Sequence, residues 1–315
     1  MKKFVLSMVL ALVCVAMSFA QNMMVATLTH GDEIKMYYGS YAYQQAMNDA
    51  DHGDVINLSG GGFQATNITK AVSLRGAGID SGNPTYIIND FNVQIPTTTS
   101  ERLSAEGIYF SGTMNVSDTL MNAYFLKSYL KQIRITEFRD NLENAQFVNC
   151  KVMSVYLYEG SSTAQFVNSY VNGYKTNKSV SASFINCVIT NSFEIYNSTL
   201  INCIYIFKSN NSLSASNTVN NCVTTNSLSF YTITAGSNNK NANMSIFIDE
   251  DPLNDLTDEA KAEYLGGDGT PVGMYGGTLP FNTTPSYPQI TKMNVANKTT
   301  ADGKLSVEIE VSAVE

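Results

Sequence analysis

Tryptophan is absent from this 315-residue chain, histidine occurs twice and proline seven times. Charged side chains make up 15% of it, and no aspartate falls between Ala145 and Met244. So bare a stretch cannot bring clustered carboxylates together from neighbouring segments, which argues against hydrolase or lyase chemistry there. His30 and His52 stand beside Gly and Asp in turn-like contexts, with no third ligand in spacing. Turn roles are expected for them rather than a metal centre or a nucleophile's base. There is no basic run, and 19 basic residues face 27 acidic ones, so nucleic acid is not an expected partner.

What is present begins with a leader. Lys2 and Lys3, the apolar run Phe4 to Met17 and the small-x-small site Ser18-Phe19-Ala20 read as a secretory signal over residues 1–20. The run is shorter than the roughly 20 residues of a membrane span. An exported chain, periplasmic, cell-surface or extracellular, with no membrane insertion after cleavage is therefore expected. Loss of Lys2 and Lys3 takes the 19 basic residues to 17 against 27 acidic ones, a net of −10.

Between Ala145 and Val223 one phrase recurs: AQFVNCKV, AQFVNSYV, ASFINCVI, STLINCIY and NTVNNCVT. The shared Asn falls at Asn149, Asn168, Asn186, Asn202 and Asn221, at intervals of 19, 18, 16 and 19 by subtraction. So short a period without helix formers marks a β-solenoid, one repeat to a turn. The inward and outward alternation breaks at each Asn, as it would if Asn takes a left-handed bend. With Phe147 inward, Val148, Val167, Ile185 and Ile201 form an outer apolar stripe, to be covered by the chain's own C-terminal segment or by a partner. Cys150, Cys187, Cys203 and Cys222 share one place in the repeat. Neighbouring turns hold side chains about 4.8 Å apart and parallel, whereas a disulfide needs converging Cβ atoms near 3.8 Å. A column of buried thiols is expected rather than two disulfides.

Upstream, VATL and IKMYY around His30-Gly31-Asp32 read as a hairpin. A short helix over 41–50 follows, with Ala42, Ala46, Met47 and Ala50 on one face. Then come G-D-V-I-N-L from Gly53, the turn Gly60-Gly61-Gly62, and I-T-K-A-V-S-L-R-G-A-G from Ile68. A capping helix followed by this pattern resembles the start of pectin lyase-like right-handed parallel β-helix proteins, and the resemblance extends through the Asn repeat to about residue 280. It implies an all-β right-handed parallel β-helix of roughly nine to eleven rungs. The expected parts are a hairpin and capping helix over 21–52, the solenoid over 53–278 and a β tail over 279–315. In TYIIND, GIYFSG and NAYFLKSYL, Phe110 and Phe125 are assigned the place of Phe147. Ser245 to Ile248 reads as a last strand, DEDPLNDLTDEAKAEYLGG as a turn and short helix capped by Asp255, and DGTPVGMYGG as a closing coil. Ile290 to Val295 and Leu305 to Val311 read as two tail strands.

Lyases of that kind use calcium-binding acidic residues with an Arg or Lys base, and the related hydrolases use clustered Asp; neither signature has a match, so no catalytic residue is carried over. The densest charged patch, Arg134, Glu137, Arg139, Asp140 and Glu143, reads as a solvated bend. Asp49, Asp51 and Asp54, like Asp249, Glu250 and Asp251, lack a full set of calcium ligands, so no metal or other cofactor is expected. Tyr156, Tyr158, Tyr170, Tyr174, Tyr196 and Tyr205 accompany the repeat and, where outward, offer faces for sugar rings. The expected function is an exported, non-catalytic solenoid that binds glycan or another surface component. A polysaccharide lyase-like enzyme and a structural or adhesive module are the alternatives.

Overall fold

A computed structural model describes residues 24–135, 137, 141–157, 162–176, 180–191, 195–206, 216–225, 236–295, 303–304 and 307–312. The leader, Tyr158, Arg139 and Asp140 lie outside the described residues.

The chain is an all-β parallel β-solenoid of about eight turns with almost no helix. Strands before each Asn bend stack into a first sheet of eleven, and those after it into a second sheet of thirteen. Thr119–Met121 and Asn141–Glu143 form a short third side. Nine parallel strands, from Val55–Leu58 to Thr218–Asn220, stack in the first sheet, within the nine to eleven rungs expected, and their spacing is uneven. Ser73 pairs with Ser104, 31 residues on, whereas Ser183 pairs with Thr199, 16 residues on. The coil ends at the strand Lys240–Ala242: Met244–Ile246 and Ile248–Glu250 are 3-10 turns, not a last strand.

Parallel, in-register stacking puts like residues above one another. Ile56, Leu74, Ala105, Phe125, Phe147, Phe166, Phe184, Leu200 and Val219 form one inward column of the first sheet. The rings from Phe125 to Phe184 stack at 5.1, 4.9 and 5.1 Å, near the strand spacing, so each ring lies flat on the next. Phe125 therefore holds the place of Phe147, but Phe110 does not. It lies on the second sheet opposite Leu130 and meets Phe125 edge-on at 6.3 Å; the small Ala105 fills its turn of the column.

The bend residues take left-handed conformations: φ is 48° at Lys127, then 52°, 45°, 50°, 55° and 52° at Asn149, Asn168, Asn186, Asn202 and Asn221. The next residue turns its side chain inward, where it is Ser128, Cys150, Ser169, Cys187, Cys203 or Cys222, all buried. All four thiols are free. They satisfy the backbone of the bend: Cys187 Sγ donates to Ile185 O and Phe166 O, both at 3.3 Å, and Cys203 Sγ accepts the Cys187 N–H at 3.4 Å.

The open N-terminal end is closed by the strand Val25–His30, antiparallel to Val55–Leu58, and by the helix Ala42–Asp49. Ala42, Ala46, Met47 and Ala50 are buried. Lys70 Nζ donates to Asn48 O at 2.8 Å and to Met47 O and Ala50 O, placing its charge on the carbonyl end of the helix.

At the other end the helix Asp258–Glu263 is capped by Thr257 rather than Asp255; its hydroxyl accepts the Ala260 N–H at 3.3 Å. The chain then turns back, and residues 264–287 run as a strap along the ridge of Asn bends. Gly267 N donates to Asn202 Oδ1 at 2.9 Å, and Asn168 Nδ2 to Met274 O and Gly276 O at 2.9 and 2.6 Å. Asn149, its amide oriented to donate, reaches Leu279 O at 3.3 Å. Farther on, Lys127 Nζ donates to Ser286 Oγ at 3.3 Å, and the Tyr287 hydroxyl donates to Gly76 O. The tail ends in an antiparallel pair, Gln289–Val295 with Val307–Ser312.

Candidate functional site

The strap runs beside the outer apolar stripe. Val148 is buried at 8% exposure, and Val167, Ile185 and Ile201 are half-buried beside the covered ridge. The stripe is thus flanked by the chain's own return rather than offered as a continuous open surface.

Three of the six tyrosines singled out above present no ring to a ligand. Tyr174 follows Val155 and Ile133 in an inward column and is fully buried, edge-on to Phe166 and Phe184. Tyr205 follows Val171 and Ile189 inward and is 2% exposed. Tyr170 points outward, but the C-terminal cap covers it, together with Val188, Ile204 and Val223, in a second apolar cluster with Phe247, Leu256, Val272 and Met274. Its hydroxyl lies 3.1 Å from Thr190 Oγ1. Tyr156 and Tyr196 are half-exposed.

The open surface lies upstream, on the outer face of the second sheet. Tyr86, Tyr109, Tyr129 and Lys151 are successive register partners and point outward from strands whose alternate residues are buried. Tyr86 and Tyr109 are 4.9 Å apart and tilted by 51°; Tyr109 and Tyr129 stack at 3.9 Å and 9°. Tyr109 and Tyr129 thus turn their faces to one another, while Tyr86 leans on Tyr109 at an angle. Burial and the hydrogen bond to Tyr109 push the Tyr129 phenol well above its ordinary range. A second outward column runs Asn92, Asn115, Arg134, Tyr156, Lys175. Between the two, Thr113 Oγ1 donates to Gln132 Oε1 at 3.0 Å. The strand Ile108–Val116 can pass the Asn89–Asp90 bend because Gly112 has no Cβ; one there would lie 2.0 Å from Asn89 O.

Charge on this face is one-sided. Among the described residues, the second-sheet strands carry Lys131, Arg134, Lys151, Lys175 and Lys240 and no Asp or Glu. Lys131 and Arg134 are exposed and make no ion pair among the described residues. Asp90, at the rim, accepts the Thr113 N–H at 2.7 Å. Lys151 pairs with Asp80 at 3.2 Å where the column meets the strap, in a cleft of about 550 Å³.

Of the remaining sequence candidates, His30 comes together with Asp51 and Asp54, at 3.9 and 2.8 Å, whereas the charged patch around Arg134 does not gather. Glu143 sits on the third side, away from the Arg134 strand. His30 Nδ1 lies 2.8 Å from Asp54 Oδ1, whose partner oxygen accepts the Asp51 N–H at 2.7 Å; His52 Nδ1 accepts the Ala71 N–H at 2.9 Å. No group of three or more His, Cys, Asp or Glu is placed to hold a metal among the described residues. No described helix is long and apolar enough to cross a membrane. Tyr86, Tyr109 and Tyr129 escaped the sequence reading because they precede the regular repeat. Their one signal is local: each stands just before an apolar residue in TYII, IYF or SYL.

Fold and surface together define a parallel β-solenoid with one hydroxyl-rich, cationic outer face. Comparison with known proteins finds no matching family, no matching curated protein and no matching solved structure.

Proposed function

We propose that this chain is an exported, non-catalytic β-solenoid of the pectin lyase-like kind that holds an acidic glycan on the outer face of its second sheet. The observation that carries this reading is the segregation of charge. In a chain of net −8, the described strands of one face bear only cations among their charged residues, set among phenols, amides and hydroxyls. Donors and cations in excess suit a polymer rich in hydroxyls and carboxylates or sulfates. The tyrosines serve as a rail of donors rather than as stacking platforms. The stacked pair Tyr109 and Tyr129 leaves little face for bases, which favours a saccharide over a single-stranded nucleic acid. Export, and residence at a cell surface where such polymers lie, belong to the same proposal.

Native gel electrophoresis through acidic and neutral polysaccharides tests it. Polyuronate in the gel is expected to retard the protein, with the retardation relieved by salt; neutral glucan is expected to leave it unretarded. Retardation by neutral glucan alone, or release of unsaturated products from the polyuronate, would overturn the reading.

A further inference from the structure

The outer column that begins at Tyr86 does not stay open along the whole rod. Its register continues from Tyr129 to Lys151, then to Tyr170, Val188, Ile204 and Val223. From Tyr170 to Val223 every member is buried, at 6% exposure or less, beneath Ile246, Phe247, Val272 and Met274. A polymer lying along the column is free to extend toward the N-terminal cap but meets a wall just past Lys151.

At that wall lies the cleft of about 550 Å³, within the roughly 300–1,000 Å³ of small-molecule sites. Tyr275, Pro280 and Phe281 form its apolar side, with Phe281 held edge-on to Tyr275 at 5.7 Å. Its polar side is the pair of Lys151 with Asp80, and Lys151 Nζ also lies 5.8 Å from the Phe281 ring centre. Asp80 is more than half exposed, so its carboxylate is open to a hydroxyl while the ammonium beside it can donate.

We infer that this cleft is a chain-end site, holding the terminal residue of a glycan whose preceding residues lie along the Tyr129, Tyr109 and Tyr86 column. The inference rests on the glycan-binding reading above. A terminal sugar carries a hydroxyl where an internal one carries the next glycosidic bond. The carboxylate–ammonium pair offers both an acceptor and a donor to that hydroxyl. In line with the column, the place of a further residue is taken by the cap that covers Tyr170.

The test is titration calorimetry of the full chain with size-fractionated linear polyuronate, from short oligomers to long polymer. A chain-end site predicts one protein bound per polymer chain at every length. Binding along the chain predicts a stoichiometry that grows with length, and that result would overturn the inference while leaving glycan binding intact. No heat and no retention with any fraction would instead remove the glycan reading and this inference with it. Thr283→Trp, at the half-buried lip of the cleft, fills the space and is expected to weaken oligomer binding about tenfold or more. Unchanged affinity in a variant that melts like the parent would also overturn the chain-end site.

Discussion

At the six bends from Lys127 to Asn221, one residue takes a φ near 50° and the next tucks a small donor into the core. The first requirement selects Asn, which tolerates the left-handed region better than residues with a bulkier Cβ substituent. At Asn221, φ 52°, Asn221→Gly is expected to be mild, and Asn221→Val to cost about 1–2 kcal/mol more. Urea unfolding of the pair checks this. The second requirement selects Cys or Ser, because either can donate to the carbonyl two residues back. Cys150→Ser should fold like the parent, since Ser128 and Ser169 already play this part. Cys150→Ala leaves Val148 O and Phe125 O without that donor and should cost about 1–3 kcal/mol.

Burial also pushes the Cys150 thiol up from about 9 to about 12. The folded state keeps its proton after the unfolded chain has begun to lose it. This share of stability is full below pH 9 and is lost as pH rises toward 12, at about 1.4 kcal/mol per pH unit in the steep part. Urea titrations between pH 7 and about pH 11 should therefore show a shallower alkaline decline for Cys150→Ser than for the parent. Parallel curves would refute the assignment.

Among the elements, the strap does what a solenoid needs at its exposed corner. Stacked Asn side chains can bond along their own ladder, and Asn238 Nδ2 does donate to Asn221 Oδ1 at 3.2 Å. Those of Asn149, Asn168 and Asn202 instead bond the returning backbone. Gly277, φ 73°, fits here because a Cβ would stand 2.1 Å from Asn186 Nδ2. Asn168→Asp keeps a residue that accepts the left-handed bend but points a carboxylate at two carbonyl oxygens. It should destabilise the strap by about 1–3 kcal/mol. Amide exchange should then quicken over residues 264–281 more than in the Phe column; a uniform change would mean that the strap is not a separate unit.

At the scale of the whole molecule, a net charge of −8 conceals a sheet whose described strands carry Lys and Arg but no Asp or Glu. Reversing Lys131 and Arg134 together, as Lys131→Glu and Arg134→Glu, is expected to abolish retardation in polyuronate gels. The melting temperature should hardly change, since both side chains are exposed and unpaired among the described residues. Retardation that survives both reversals would place the ligand elsewhere.

Composition and repeat spacing carried the architecture, because one phrase said five times dictates one turn said five times. The left-handed Asn and the column of free thiols were legible for the same reason: each turn meets the same steric demand. The ligand face was not. Which tyrosines point outward depends on strand phase in the irregular early turns, and Tyr170 is hidden only because a segment about a hundred residues later folds onto it. The route of 264–287 along the Asn ridge, the wall it raises beside Lys151, and the gathering of scattered Lys and Arg onto one sheet are contacts between residues far apart in the chain. Periodicity records how a turn repeats. It holds no record of what folds back over it, and that was left to the tertiary structure.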